Sequence, residues 1–250
     1  MATSLTANAQ PTVDEIVALL KKTASPTIVC EGSDDLIIFR RFEERLSHLG
    51  VSVLPAGGRK NVLQIFERRS EFPVSVQVAF VADQDTWVNT GTPTAYATPA
   101  LLFTDGYSIE NDVFCDGDFE ALLAGTDIPR FRSELNDFVD WYALALTRHL
   151  SDPAKPISTH PQKVLNPTLR PTLLALEPGE SYPVNTKTAI MADYKRLLRG
   201  KSLLGLLVRN TNTRPGQPNH KERSLLEMVA ARPRPKVIRL SSAFEALFTV

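Results

Sequence analysis

Acidic residues follow or close three apolar runs of this chain and one helix start. Glu31 and Asp35 come after TIVC, Asp83 and Asp85 end VSVQVAFVADQD, and Glu110 lies in SIENDVF, just past ALLFTDG. Asp83-Gln84-Asp85 is the most telling pattern, because uncompensated charge at the end of an otherwise apolar strand is disfavoured. On a continuing strand two such side chains would point to opposite faces, but at a strand-to-loop exit both can turn toward one ion. Two unpaired carboxylates about 4 Å apart repel by roughly 4 kcal/mol at an effective dielectric of about 20, and a hard divalent ion removes that cost. An all-oxygen donor set favours magnesium, manganese or calcium over zinc, and carboxylates that leave room for water are typical of magnesium at phosphates. Taken singly, each of these acids, like Ser33 or Asp34 beside them, has a plainer role as a helix cap or solvated loop residue.

Such a set needs elements that carry distant positions to one edge. PTVDEIVALLKK has the spacing of an amphipathic helix starting at Pro11. TIVCE reads as a strand, and SDDLIIFRRFEERLSHLG as a helix closed by Gly50. The alternation repeats as VSVLP with GGRKNVLQIFERRSEF, then as a nine-residue apolar-rich strand in VSVQVAFVADQD, then as ALLFTDG with a helix beginning at SIENDVF. This predicts an α/β fold: a mostly parallel four-stranded sheet covered on both faces, with ligands collecting at the carboxyl ends of the strands. The acids fall at those ends. Beyond about residue 116 strand signals fade. DIPRFRSELNDFVDWYALALTRHL reads as one long helix, and residues 151–187 carry seven prolines, too many for regular structure throughout. ADYKRLLRGKSLLGLLVR reads as a basic amphipathic helix interrupted at Gly200, and SLLEMVAAR and SSAFEALF as short helices. The expected division is a sheet domain over 1–115 and a mainly α-helical, basic region over 116–250.

The composition, 43% apolar and 22% charged, excludes a disordered chain. No apolar run approaches the roughly 18 residues of a spanning helix, and MATSLTANAQPTVDE lacks a leader pattern, so a cytoplasmic protein without a membrane partner is expected. Cys30 and Cys115 read as free thiols, and His48, His149, His160 and His220 lack metal-ligand spacing. The net charge of zero hides a division: 17 acidic against 9 basic residues over 1–120, and 11 against 19 over 121–250. The basic run Lys195, Arg196, Arg199 and Lys201, followed by Arg209, Arg214, Lys221 and Arg223, could anchor a nucleic-acid backbone. A solvated helix face, or docking on an acidic protein, would look the same. In GGRKN, Arg59 and Lys60 could meet a phosphate at a helix start, where a plain strand-to-helix turn is the alternative. No P-loop or GxGxxG occurs, so no nucleotide is expected on this chain.

The run IVCEGSDDLIIF resembles the opening TOPRIM motif, and FVADQD resembles that family's Asp-x-Asp motif, in the same order. AGGRKNV and YSIEND are similar to segments of TOPRIM-like proteins encoded beside ABC-type ATPases, with the nuclease subunits of PARIS-type anti-phage defence the best match and OLD-family nucleases more distant. The similarity covers roughly residues 25–115, with LLRGKSLLGLL a looser echo of a Gly-Lys-Leu-Leu segment. The resemblance implies an endonuclease cutting RNA, such as tRNA, or DNA with magnesium, manganese being a substitute. It makes Glu31 a metal ligand or general acid/base, Asp83 and Asp85 metal ligands, and Asp35 and Glu110 candidates for a second metal. It also implies an ABC-type ATPase partner and a defence role, and leaves a homodimer open. A topoisomerase tyrosine would come from an added domain, for which this chain is too short. Two other classes compete. Asp83-Gln84-Asp85-Thr86 is similar to the haloacid-dehalogenase nucleophile motif, although that motif follows the first strand and carries Thr or Val where Trp87 stands. A binding module whose acidic edge is merely ordered by metal is the third reading.

Overall fold

The computed structural model describes residues 10–32, 35–211 and 218–249, which group into two compact units. The first runs up to Asp83 and adds Thr94–Phe103 and the chain from Ile238; the second is Gln84–Pro93 with Thr104–Val237.

The first unit alternates α1 (Val13–Leu20), β1 (Thr27–Cys30), α2 (Leu36–Arg45), β2 (Ser52–Pro55), α3 (Arg59–Glu67), β3 (Val78–Ala82) and β4 (Leu101–Phe103). All pairings are parallel, in the order β2-β1-β3-β4, with Val29 opposite both Leu54 and Phe80 and Ala82 opposite Phe103. This is the α/β architecture that alternating strands and helices demand. Thr27, Ile28, Val29 and Cys30 are all buried, as a central parallel strand covered on both faces must be. On one face Val29, Phe80 and Ala82 pack with Ile16, Val17 and Leu20 of α1 and Val62, Ile65 and Phe66 of α3. Ile38, Phe39 and Phe42 of α2 are also buried, and the Phe42 ring meets Phe244 at 6.1 Å. Thr12 caps α1 in a capping box with Glu15, so Pro11 stands just before the cap. β3 has five residues where nine were expected: β1 offers a four-residue partner, and Val76 N–H closes a turn onto Pro73 O, leaving Val74 fully exposed.

The second unit is helical: α4 (Trp87–Thr90), α5 (Ile109–Gly117), α6 (Ile128–Ser151), α7 (Pro161–Val164), α8 (Arg170–Leu174), α9 (Val184–Ala192), α10 (Tyr194–Leu197), α11 (Gly200–Thr211), α12 (Glu222–Ala231) and the start of α13 (Pro235–Phe248). Phe131, Leu135, Phe138, Tyr142 and Leu146 of α6 are buried, the stripe its periodicity predicts. Within 151–187, Pro161 and Pro171 sit in the first turns of α7 and α8, where a missing N–H costs nothing. The helix expected over ADYKRLLRGKSLLGLLVR is two helices, broken at extended Leu198 (φ −79°, ψ 143°). The break has a cause: the Asn111 side-chain amide donates to Lys195 O at 2.8 Å and Leu198 O at 2.9 Å. The grouping also differs from a cut at residue 115. Gln84 donates to Thr104 O and Asp105 O, and Asp112 accepts from Asp105 N–H and Gly106 N–H, which joins these residues to the helical unit. Among the described residues no helix is long and apolar enough to cross a membrane.

Candidate metal and phosphate site at the carboxyl edge of the sheet

In a sheet ordered β2-β1-β3-β4 the chain leaves β1 to one side and returns to the other for β3, so the winding reverses between β1 and β3. Ligands of open parallel sheets bind outside the carboxyl ends of the strands at such a reversal. Glu31 directly follows β1 and Asp83 directly follows β3, so two half-buried carboxylates flank it. Glu31 Oε1 accepts Asp83 N–H at 2.7 Å, fixing one strand end against the other. Asp35 Oδ2 accepts Gly32 N–H at 3.1 Å, curling the loop after β1 back on itself. Ser33 and Asp34 lie outside the described residues. Cys30 is fully buried beneath this edge. Burial pushes its thiol well up, and the charges of Asp35 and Glu31 push it further, so it stays protonated and unreactive.

The start of α3 meets the same edge. Ala56 N–H donates to Cys30 O at 2.8 Å and Gly58 N–H to Glu31 O at 2.7 Å. That turn uses left-handed backbone at Gly57 (φ 84°) and Gly58 (φ 128°), which glycine adopts without penalty. Arg59 and Lys60 then open the helix, Lys60 exposed, where the helix dipole favours an anion.

Asp85 and Glu110 belong to the second unit. Asp85 has φ 48°, a left-handed conformation uncommon outside glycine, and its N–H donates to Tyr107 O at 2.7 Å. Gln84 N–H donates to Thr104 Oγ1 at 3.2 Å, and that hydroxyl donates to Gly106 O at 2.9 Å. The loop around Gly106 therefore dictates the direction of the Asp-x-Asp exit. None of Gln84, Thr104 or Tyr107 was singled out from the sequence, because their roles depend on contacts about 20 residues away. Glu110 is only 4% exposed, accepts the Ser108 hydroxyl at 2.5 Å, and lies on a helix whose Asn111, Asp112 and Asp116 are buried too. Its charge helps raise the Glu222 carboxyl, which burial raises most.

The basic run divides. Lys195 pairs with Glu120 at 3.1 Å and lies over the Phe114 ring, while Arg196 Nε donates to Asp105 O at 3.1 Å. Arg199 is half-buried, whereas Lys201 at the start of α11 is exposed. Arg209 pairs with Glu134 and Arg223 with Glu227; Arg214 lies outside the described residues.

The donor chemistry fits a hard divalent cation: Glu31 and Asp83 offer carboxylate oxygens on neighbouring strand ends, the type and number that magnesium takes from proteins at phosphates. Among the described residues, no group of three or more His, Cys, Asp or Glu is arranged to hold a metal. No protein-family model matches the chain, and no curated protein matches it significantly in sequence.

Proposed function

We propose that this chain is a magnesium-dependent endonuclease whose phosphodiester-cleaving site centres on Glu31 and Asp83. The observation that carries the reading is the carboxylate pair flanking the winding reversal, with Glu31 hydrogen-bonded to Asp83 N–H at 2.7 Å. Magnesium is typically bound by one or two carboxylates plus waters and substrate phosphates, so two strand-end acids are a sufficient protein share; manganese suits the same oxygens. The similarity of FVADQD to the Asp-x-Asp motif makes Asp85 a further candidate ligand. When bound, the ion supplies charge for the scissile phosphate and a readied water. Glu31, oriented by the Asp83 N–H, is the base to take the proton of that water. Arg59 and Lys60, with the dipole of α3, draw the phosphate to the edge. Asp35, turned to Gly32 N–H, and Glu110, buried under Ser108, are weaker candidates for a second ion.

The similarity of IVCEGSDDLIIF and FVADQD to TOPRIM motifs supports the nuclease class. It is also the basis for proposing an ABC-type ATPase partner, a role as effector in anti-phage defence, and an RNA substrate such as tRNA, or DNA. A second reading, a binding module whose acids hold an ion without hydrolysis, draws on the lack of a closed three-ligand group among the described residues. Haloacid-dehalogenase chemistry is disfavoured because Asp83 follows β3 and not β1. The test is incubation of the purified chain, alone and with its ATPase partner, with total RNA and plasmid DNA in magnesium or manganese. Cleavage lost in Glu31→Gln and Asp83→Asn is expected; cleavage surviving both would sink the mechanism.

A further inference from the structure

Arg232-Pro233-Arg234 connects α12 to α13, and Pro235-Lys236 open α13, so that five basic or proline residues follow one another. Each arginine precedes a proline, which keeps its backbone out of the helical region and stiff. The buried Asp116 carboxylate accepts Arg234 N–H at 3.2 Å, Lys236 N–H at 3.0 Å and Val237 N–H at 2.9 Å, bolting the connector to α5. A five-residue stretch is thus held rigid from beneath while its two guanidiniums face solvent: Arg232 and Arg234 are both exposed.

The helical unit otherwise commits its arginines. Apart from half-buried Arg199, every other described arginine of that unit is ion-paired, as Arg132 is with Glu120, Arg148 with Glu180 and Arg170 with Asp137. Among the described residues Arg232 and Arg234 make no side-chain hydrogen bond or ion pair. Around them the charge is concentrated further. Lys236 pairs with the Asp105 carboxylate while Arg196 donates to the same residue's backbone oxygen, so two more cations converge on one aspartate. Lys195 and Lys236 also both act on the half-buried Cys115. The Asp105 carboxylate is engaged with Lys236, and the Asp116 carboxylate beneath the segment is spent on three backbone N–H groups, so neither acid pairs with the Arg232 or Arg234 side chain. A braced backbone lowers the cost of ordering the segment on binding, and the planar guanidinium forks match phosphate oxygens bidentately.

We propose that Arg232 and Arg234, braced by Pro233, Pro235 and Asp116 and flanked by Lys236 and Arg196, form a contact surface for the phosphate backbone of a nucleic acid. This rests on the reading that the chain acts on nucleic acid, and extends it to a surface remote in sequence from the acidic motifs. Contacts of this kind carry no sequence preference and are read by salt dependence.

The experiment is fluorescence anisotropy of the full chain with a labelled DNA duplex and with labelled bulk tRNA, in EDTA so that nothing is cut, over a range of salt. Wild type is compared with R232A/R234A and with R41A/R130A, which removes two exposed arginines already paired with Glu44 and Glu134. Losing two phosphate contacts flattens the plot of log K against log salt by about 1.8 on duplex DNA. The expected result is that flattening in R232A/R234A and a wild-type slope in R41A/R130A, with unchanged thermal unfolding in both. Equal losses in the two variants, or a wild-type slope in R232A/R234A, would overturn the surface alone. Failure of the wild-type chain to bind either probe would overturn the surface and the nucleic-acid reading together.

Discussion

Gly200→Ala tests the close approach of α11 to α5 in the second unit. A methyl group there would stand 2.3 Å from Ser108 Oγ, 2.6 Å from Asn111 Oδ1 and 2.9 Å from Glu110 Cβ. Ordinary contact needs about 1 Å more. None of these groups is free to give way: Ser108 Oγ is bonded to Glu110, and Asn111 accepts Ser108 N–H at 3.0 Å while donating to two carbonyls. The start of α11 must therefore move off α5. Overpacking of this kind costs about 1 to 3 kcal/mol. Alanine's helix advantage recovers little at a first helical residue, so a net loss of about 2 kcal/mol is expected, lowering the melting temperature by roughly 4 to 8 °C for a chain of this size. Gly205→Ala, on the same helix, is the matched control. Its methyl would meet its nearest neighbours, Glu222 Oε1 and Pro161 Cγ, at an ordinary 3.5 Å, so helix propensity should win and stabilise by about 0.5 to 1 kcal/mol. Circular dichroism melts of the two variants should move in opposite directions. A Gly200→Ala protein as stable as wild type would refute the close packing, and with it the buried setting of Glu110 and Asn111.

Asp116→Ala strips the acceptor from three backbone N–H groups at the start of α13 and should cost about 2 to 3 kcal/mol in urea unfolding; a loss below 0.5 kcal/mol would contradict that role. Glu71 is held at about 2 by the Arg68 guanidinium first and by Lys21, and Glu180 at about 2 by Arg148 and the Glu177 N–H. Both are depressed carboxylates, so the stability they add is complete above 4.5 and lost as pH falls toward 2; NMR carboxyl titrations with midpoints near 4.5 would contradict the pairing. At Asp85 the left-handed backbone makes Asp85→Val more destabilising than Asp85→Asn by about 1 to 2 kcal/mol, and equal unfolding curves would remove the case for strain there.

The sheet was legible because its signals are local. TIVC, VSVLP and VAFVA are short apolar-rich runs separated by amphipathic helices, from which their parallel pairing follows, while LLF comes after the single short helix α4. Glu31 and Asp83 were legible for the same reason, as charges ending apolar strands. What sequence could not carry were interactions across long separations. Asn111 splits α10 from α11 by binding carbonyls more than 80 residues away, and Asp116 anchors a connector nearly 120 residues on. Glu110 lies among the sheet's other acids in sequence, yet Gly200 and Ser108 enclose it in helical packing. Lys195 and Arg196 belong to the densest basic run, but Glu120 and Asp105 engage them, while the less conspicuous Arg232 and Arg234 remain exposed.

The proposed binding of a divalent cation at the carboxyl edge between β1 and β3 can be tested without any cleavage assay. The most direct measurement is a manganese titration of the isotopically labelled chain, following paramagnetic broadening of backbone amides in wild type, Glu31→Gln and Asp83→Asn. The amides of Glu31, Gly32 and Asp83 should broaden first in wild type, and either substitution should remove the effect. Broadening elsewhere, or broadening at these amides that survives both substitutions, would contradict the proposed binding.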